Sequence, residues 1–536
     1  MNIYKNQKEK GVPSGKAIKH TTMYYVKRLV FGGFVTTALL LILQIVIIVL
    51  LSLWIDQHAK LVFEGFTIFG FIAILAIVTG DKTPESRLIW SVVIAIFPIA
   101  GVVLYIIVSS DAGVRYSRKA LKKTIEETEG LTVTDPAIIK DIASEHTDLT
   151  KLSYYMVNQG DCAVYSNSQC TYYSPADEVF APLIEALESA REYIFLEFFM
   201  IEDESIFWTK VLDVLKRKAA EGVEVRLMYD DLGCVAILPR RYYKTLTDMG
   251  IKVRVFGRVT PFLSLLYNNR DHRKIVVVDG RIAFTGGFNL CDEYINEVEK
   301  FGHWKDNGIC IRGEAVKQFS VMFLQMWNAA RFGSVSDEKE ESYVNYTSTE
   351  SATPDGLFIP YGDGPYRKEA LAKYVYKDIL NNADEYMWIM TPYLILDHGM
   401  DTAIMHAAKS GIDVRIILPH IPDKKVPYMI ARSFYPQLLK AGVRIYEYEP
   451  GFVHAKCCIS DDRIGTVGTV NLDYRSLFLH YECGCLLYEC SELERIREDF
   501  EETFSKCIEV DMDYYMKLNT MYRIMGRVFR IFGPVM

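Results

Sequence analysis

HRKIVVVD at residues 272–279 and HAKCCISD at residues 454–461 share one pattern, H-x-K-x4-D, and the likeness continues downstream of both. Gly286 and Asn289 follow the first copy, and Gly468 and Asn471 follow the second at the same offset of 182 residues that separates His272 from His454. One short motif arises by chance, but two with matching followers do not. The chain is therefore expected to contain a duplicated domain. In an extended strand His272, Lys274 and Val276 share one face and Arg273, Ile275 and Val277 the other, and the same parity joins His454 to Lys456. Asp279 and Asp461 arrive where the apolar run stops, before Gly280-Arg281 and Asp462-Arg463, and are expected to close a hairpin.

Outward from the motifs the two halves run in parallel. Each has a helix leading to an apolar strand (YIFLEFFMI from Tyr193, YMWIMTPYL from Tyr386), then an amphipathic helix (206–221; 400–410), a glycine and a strand (VEVRLMYD from Val223, IDVRIILP from Ile412). A second helix (240–249; 429–441) and another strand lead into the motif. This alternation predicts an α/β fold of two duplicated lobes with mixed sheets flanked by helices. The expected boundaries are 111–332 for the first lobe, 333–355 for a polar linker and 356–510 for the second lobe. Residues 511–536 form a basic amphipathic tail, with Arg523, Arg527 and Arg530 on one helical face, suited either to an anionic bilayer or to ordinary packing.

Brought together about a pseudo-two-fold axis, the halves supply His272, Lys274, Asn289, His454, Lys456 and Asn471 to one centre. Two ammonium groups and two amides suit the non-bridging oxygens of a phosphodiester. A neutral imidazole can attack phosphorus while a protonated one gives its proton to the leaving oxygen. Asp306, 34 residues after His272, and Glu482, 28 residues after His454, hold comparable places and are the candidates for orienting the imidazoles. The lysines supply the positive charge, so neither metal nor other cofactor is expected.

Of the 536 residues 50% are apolar, and the excess lies at the front. Behind a basic tail (1–28), the segments 29–54, 61–80 and 88–110 are expected to cross a membrane as transmembrane helices, the middle one marginally. Basic residues flank both ends of this region, so an odd number of spans conflicts with the positive-inside rule and the face of the catalytic part stays open. Residues 1–28 carry +6 and 29–110 carry −1, which leaves −13 of the chain's −8 on 111–536. That balance disfavours nucleic acid as a partner. The eleven cysteines sit in apolar strand-like runs without metal-knuckle spacing, pointing to small buried residues in a reducing compartment.

At its motifs the chain resembles the phospholipase D superfamily, and several longer stretches are similar to bacterial cardiolipin synthases. They are NNRDHRKIVVVDGRIAFTGGFNLCDEY from Asn268, HWKDNGICIRGEAV from His303, GTVGTVNLDYRS from Gly465, HYEC from His480 and KTPESRLIWSVVIAIFPIAGVVLYIIVS from Lys82. The resemblance implies a multi-pass cell-membrane phosphatidyltransferase that joins two phosphatidylglycerol molecules into cardiolipin, releasing glycerol, through a phosphohistidine on the first motif and without a nucleotide. Residues 29–54 look additional to the family's two-span hairpin. Ala455 stands where serine is common, and His480-Tyr481 where Asn-Phe is frequent; neither change is expected to touch a group that the chemistry needs. A hydrolytic phospholipase D, another phosphatidyltransferase and an inert scaffold are the rival readings.

Overall fold

The computed structural model describes residues 33–54, 58–80, 82–109, 112–258, 269–330, 343–367 and 369–535. The basic tail, the last two residues of the expected first lobe (331–332) and residues 333–342 of the expected linker lie outside them. Two compact units divide the chain, and the described helices up to Ser109 belong to the first.

The first unit is helical: Gly33–Trp54, His58–Val78, Pro84–Ile96 and Pro98–Ser109. The expected third span, 88–110, is not one helix. Phe97 leaves the helical region at φ −129°, ψ 76°, because Pro98 lacks an N–H and disfavours helical backbone in the residue before it. The two pieces fold onto each other so closely that a Cβ on Gly101 would stand 2.9 Å from the Ile94 Cα. Gln44, in the middle of the apolar first helix, accepts a hydrogen bond from the backbone N–H of Ala100, a donor the start of the last helix leaves free. Among the described residues no helix is long and apolar enough to cross a membrane; within Gly33–Trp54, side chains are described for 39–49 alone.

Among the described residues the second unit contains two large sheets and one of two strands. The first lobe supplies β1 (Ser168–Tyr173), β2 (Tyr193–Phe198), β3 (Glu224–Asp230), β4 (Lys252–Phe256), β5 (Ile275–Val278), β6 (Ile282–Gly286), β7 (His303–Lys305) and β8 (Gly308–Gly313). The second supplies β9 (Leu357–Asp363), β10 (Tyr386–Met390), β11 (Asp413–Pro419), β12 (Arg444–Tyr448), β13 (Gly451–Val453), β14 (Cys457–Ser460), β15 (Ile464–Gly468), β16 (Glu482–Tyr488) and β17 (Cys507–Val510). One sheet has the order β1-β8-β6-β5-β2-β3-β4, the other β17-β12-β11-β10-β14-β15-β16-β9. In each, three parallel strands (β2–β4; β10–β12) joined by crossover helices meet an antiparallel group (β5, β6, β8; β14, β15, β16). The duplication read from the motifs is thus a duplication of topology.

Strand parity places the core. Ile275 and Val277 of β5 and Cys457 and Ile459 of β14 enter one apolar core shared by both sheets, while Val276, Val278 and Cys458 pack outward under the helices. All eleven cysteines are free thiols and ten are buried.

Packing contacts cross three of the expected boundaries. Ile142, Leu149, Leu152 and Met156, numbered with the first lobe, lie in the outer core of the second beside Val375, Tyr376 and Leu380, where they cover apolar surface that the second lobe's own helices leave open. At the linker's end the Tyr346 hydroxyl donates to Glu224 (2.8 Å) and accepts from Arg226 (2.7 Å), fixing that segment to the first sheet. The terminal helix, Thr520–Arg530, packs on Lys425–Ala441 through Gly526, where a Cβ would stand 2.6 Å from the Met429 carbonyl oxygen.

Candidate active site

Each motif histidine precedes its strand, since regular pairing begins only at Ile275 and Cys457. The backbone there is held by the other lobe. The His272 N–H donates to the Tyr481 carbonyl (2.9 Å), and His454 and Ala455 both donate to the Lys305 carbonyl (2.7 and 3.1 Å). β13 and β7 pair in parallel across the lobes just before His454 and Asp306.

Tyr481 and Lys305 are the residues immediately before Glu482 and Asp306, and the carboxylates are exchanged as a result. His272 Nδ1 lies 2.9 and 3.0 Å from the Glu482 oxygens, and His454 Nδ1 lies 2.7 Å from Asp306 Oδ2. Both candidate orienting residues therefore hold an imidazole, each that of the opposite lobe. Thr469 donates to Glu482, and the Asn307 N–H donates to Asp306 at 2.9 Å. At Gly287, the counterpart of Thr469, a Cβ would fall 1.9 Å from Asp306 Oδ1, so only glycine leaves room for that carboxylate.

The site is buried and electrostatically shared. Burial pushes His272 down to about 3 and His454 down to about 4, so both rings are neutral at physiological pH. Burial opposes ionisation of Glu482 and Asp306, but the His272 ring holds the first, and His454 with Lys456 the second, below the usual carboxylate range. Each Nδ1–H thus donates to an ionised carboxylate and leaves Nε2 as the reactive nitrogen. Burial also lowers Lys274 to about 8 and Lys456 to about 7, and Lys456 feels Asp306 and Lys274 of the other lobe. Lys274 Nζ donates to its own motif's His272 carbonyl at 2.5 Å, and Lys456 Nζ lies 2.7 Å from His454 Nδ1.

The remaining expected residues separate. Asn289 is spent in part on the fold, its oxygen accepting from the Met200 N–H (3.1 Å) and its amide donating to Tyr294 (2.7 Å); Asn471 keeps a buried side-chain oxygen with no hydrogen-bond partner among the described residues. Asp279 and Asp461 stand at the far ends of their strands. Asp279 accepts from the N–H groups of Arg191, Glu192 and Tyr193, each at 2.8 Å, and Asp461 from Asp384, Glu385 and Tyr386 at 2.8–2.9 Å. They bind the entry of β2 and β10 to the motif hairpin and do not reach the imidazoles.

One neighbour escaped the sequence reading. His480, taken as a neutral replacement, places a third imidazole 5.6 Å from His272 between ring centres and 3.7 Å from Glu482. The signal was a histidine two residues before an orienting carboxylate. His272, His480 and Glu482 also bring potential ligand atoms within 4.8 Å of one another, although Glu482 is already engaged by His272 and Thr469 and two lysines add opposing charge. Glu202, Cys291 and Glu293 form a second such group, where Lys300, 2.9 Å from Glu293, supplies a cation.

Two lobes of one topology, each giving an imidazole and an ammonium to a shared centre, define a pseudo-symmetric phospholipase D-like class. The family model described as "cardiolipin synthase, PLD-like domain" matches residues 183–327 and 376–504, and one described as "phospholipase D-nuclease N-terminal" matches 68–109. An uncharacterized protein of Streptococcus mutans serotype c is 41% identical, covering 87% of this chain and 99% of its own. Cardiolipin synthase 2 of Bacillus anthracis is 31% identical over 88% of this chain and 91% of its own. Among solved structures, phosphatidylserine synthase of Haemophilus influenzae Rd KW20 superposes with a TM-score of 0.54 at 16% identity, covering 72% of this chain and 99% of that one, a likeness of fold. The chain belongs to the cardiolipin synthase family of phospholipase D-like phosphatidyltransferases.

Proposed function

We propose that the site exchanges one phosphodiester for another between two phosphatidylglycerol molecules. His272 Nε2 attacks phosphorus, the bond to the departing glycerol oxygen breaks, and His454 Nε2 delivers its proton to that oxygen. The hydroxyl of a second phosphatidylglycerol then gives its proton to His454 as its oxygen attacks phosphorus, breaking the P–N bond and releasing cardiolipin. Both rings rest neutral, so the acid acquires its proton as the phosphodiester anion enters, the same charge that favours protonated Lys274 and Lys456. The observation that carries this reading is the exchange of carboxylates between lobes, which holds each imidazole by Nδ1 against the other lobe and leaves its Nε2 for chemistry.

The test is incubation of the full-length protein with phosphatidylglycerol bilayers and lipid analysis. Cardiolipin and glycerol are expected; phosphatidic acid without cardiolipin would mean that water is the acceptor. Mass mapping of the intermediate trapped by rapid quenching in alkaline denaturant assigns the nucleophile, expected in the peptide containing His272.

The same reading places the protein in the cell membrane. Over their full sequences Gly33–Trp54, uncharged through 22 residues, and His58–Val78, of 21 residues, each have the length of a span, whereas the pieces on either side of Pro98 have 13 and 12. Two spans satisfy both basic clusters and put the N-terminus and the catalytic unit on the cytoplasmic side. Cysteine-labelling of intact cells at position 5 and at position 139 tests this, with neither site expected to react with an impermeant reagent.

A further inference from the structure

The terminal helix satisfies both descriptions its sequence allows, because it uses different faces for each. Inward, Gly526 lies against the Met429 carbonyl, and the Arg530 guanidinium covers the Phe434 ring at 3.6 Å while donating to Gln437 at 2.9 Å. Outward, Met521, Ile524, Val528, Ile531 and Phe532 recur at helical spacing and are exposed, Met521 to 64% and Ile531 to 52%. Met516, in the short helix before it, extends the stripe at 55%.

A packed terminal helix has no need of a continuous apolar outer face, and this one has a matching charge pattern. From Tyr514 to Met536 the sequence has no acidic residue and four basic ones, Lys517, Arg523, Arg527 and Arg530, within a chain of net charge −8. Arg530 is turned inward. Lys517 and Arg527 are exposed beside the stripe, and Arg523 is half-exposed. An apolar stripe flanked by cations suits a surface with hydrocarbon beneath an anionic layer.

The position bears on catalysis. Where the helix ends, a Cβ on Gly533 would stand 3.1 Å from Ile395 and 3.8 Å from the Tyr474 ring. The Ile395 N–H donates to the Leu472 carbonyl at 2.8 Å, and Leu472 follows Asn471. The stripe thus ends against the segment that carries a site amide. We propose that the outer face of the terminal helix seats in the headgroup layer of an anionic bilayer, holding the second lobe's side of the active site at the depth of the lipid phosphate. This inference deepens the proposed phosphatidyl transfer and rests on it for its purpose.

The test uses full-length protein carrying Ile524→Cys labelled with bimane, in nanodiscs of phosphatidylglycerol and phosphatidylcholine or of phosphatidylcholine alone. The native cysteines are buried apart from the half-buried Cys507, and unsubstituted protein gives the background. Quenching by nitroxide lipids in the anionic discs, weaker in the neutral ones, is expected. Quenching by aqueous iodide in both discs would overturn the proposal, as would shielding that appears in detergent and grows with protein concentration, the sign of a second copy on this face. As a functional readout, Ile524→Asp with Ile531→Asp is expected to lower the ratio of turnover on bilayer substrate to turnover on a short-chain monomeric diester about tenfold. Val133→Asp, at another exposed apolar position, is expected to leave that ratio alone. An equal ratio in both variants would contradict the proposal. Absence of lipid product in every format would instead count against phosphatidyl transfer, while the quenching result would stand by itself.

Discussion

At the scale of the residue, the chemistry depends on which proton each buried group holds. Glu482 and Asp306 fix the tautomer of an imidazole across the lobe boundary. Glu482→Gln and Asp306→Asn are each expected to lower kcat on the order of 10²-fold with folding retained, measured by lipid turnover beside circular dichroism. Burial lowers Lys456 to about 7 and Lys274 to about 8, so their charged forms are lost as pH rises through those values. kcat/KM is accordingly expected to fall as pH rises through about 7 to 8 and not to fall toward pH 5, where the nucleophile His272, at about 3, is still neutral and His454, at about 4, gains its proton more readily. Asp279 has a different task. Against its burial, the N–H groups of Tyr193, Glu192 and Arg191 hold its carboxyl below the usual range. That stabilisation is complete above the unfolded carboxyl's pKa and fades as pH falls through the lower folded value. Asp279→Ala is expected to cost about 1–3 kcal/mol, seen as a lowered Tm. The motif letters do not distinguish this aspartate from a catalytic one; its turn context does.

At the scale of the element, strands were the most legible feature, because parity and the glycine turns repeat in both halves. What periodicity could not reveal is who packs on whom. Helices Pro136–Glu145 and Thr150–Gly160 stand at the head of the first lobe in sequence but cover the second, and no local pattern encodes that choice. The apolar run at 88–110 shows the opposite failure: hydropathy suggested one span, whereas Pro98 and the close Gly101–Ile94 approach make two short helices. His480 was visible but undervalued, since its meaning depends on Glu482 reaching across to His272. Gly287 offers a sharp check on element packing. Gly287→Ala would drive a methyl into Asp306, and the resulting displacement of the His454 partner is expected to reduce kcat about 100-fold without unfolding the protein, measured by turnover and thermal denaturation.

At the scale of the whole molecule, duplication explains why the site can be symmetric in parts and asymmetric in use. Both lobes deliver histidine, lysine and a carboxylate by the same topology, yet Gly287 with Asp306 on one side answers Thr469 with Glu482 on the other, and His480 adds a ring beside His272 alone. Two chemically similar imidazoles can therefore take different parts, one bonded to phosphorus and one carrying the proton. The measurement that tests this most directly is the stoichiometry of the phosphatidyl-enzyme trapped by rapid quenching in alkaline denaturant, mapped by mass spectrometry in the wild type and in His272→Ala and His454→Ala. One covalent centre predicts at most one phosphatidyl group per chain, confined to a single histidine, with turnover lost in both variants. Two groups per chain, or a label on the remaining histidine of each variant with half the turnover preserved, would show two independent sites and contradict the account.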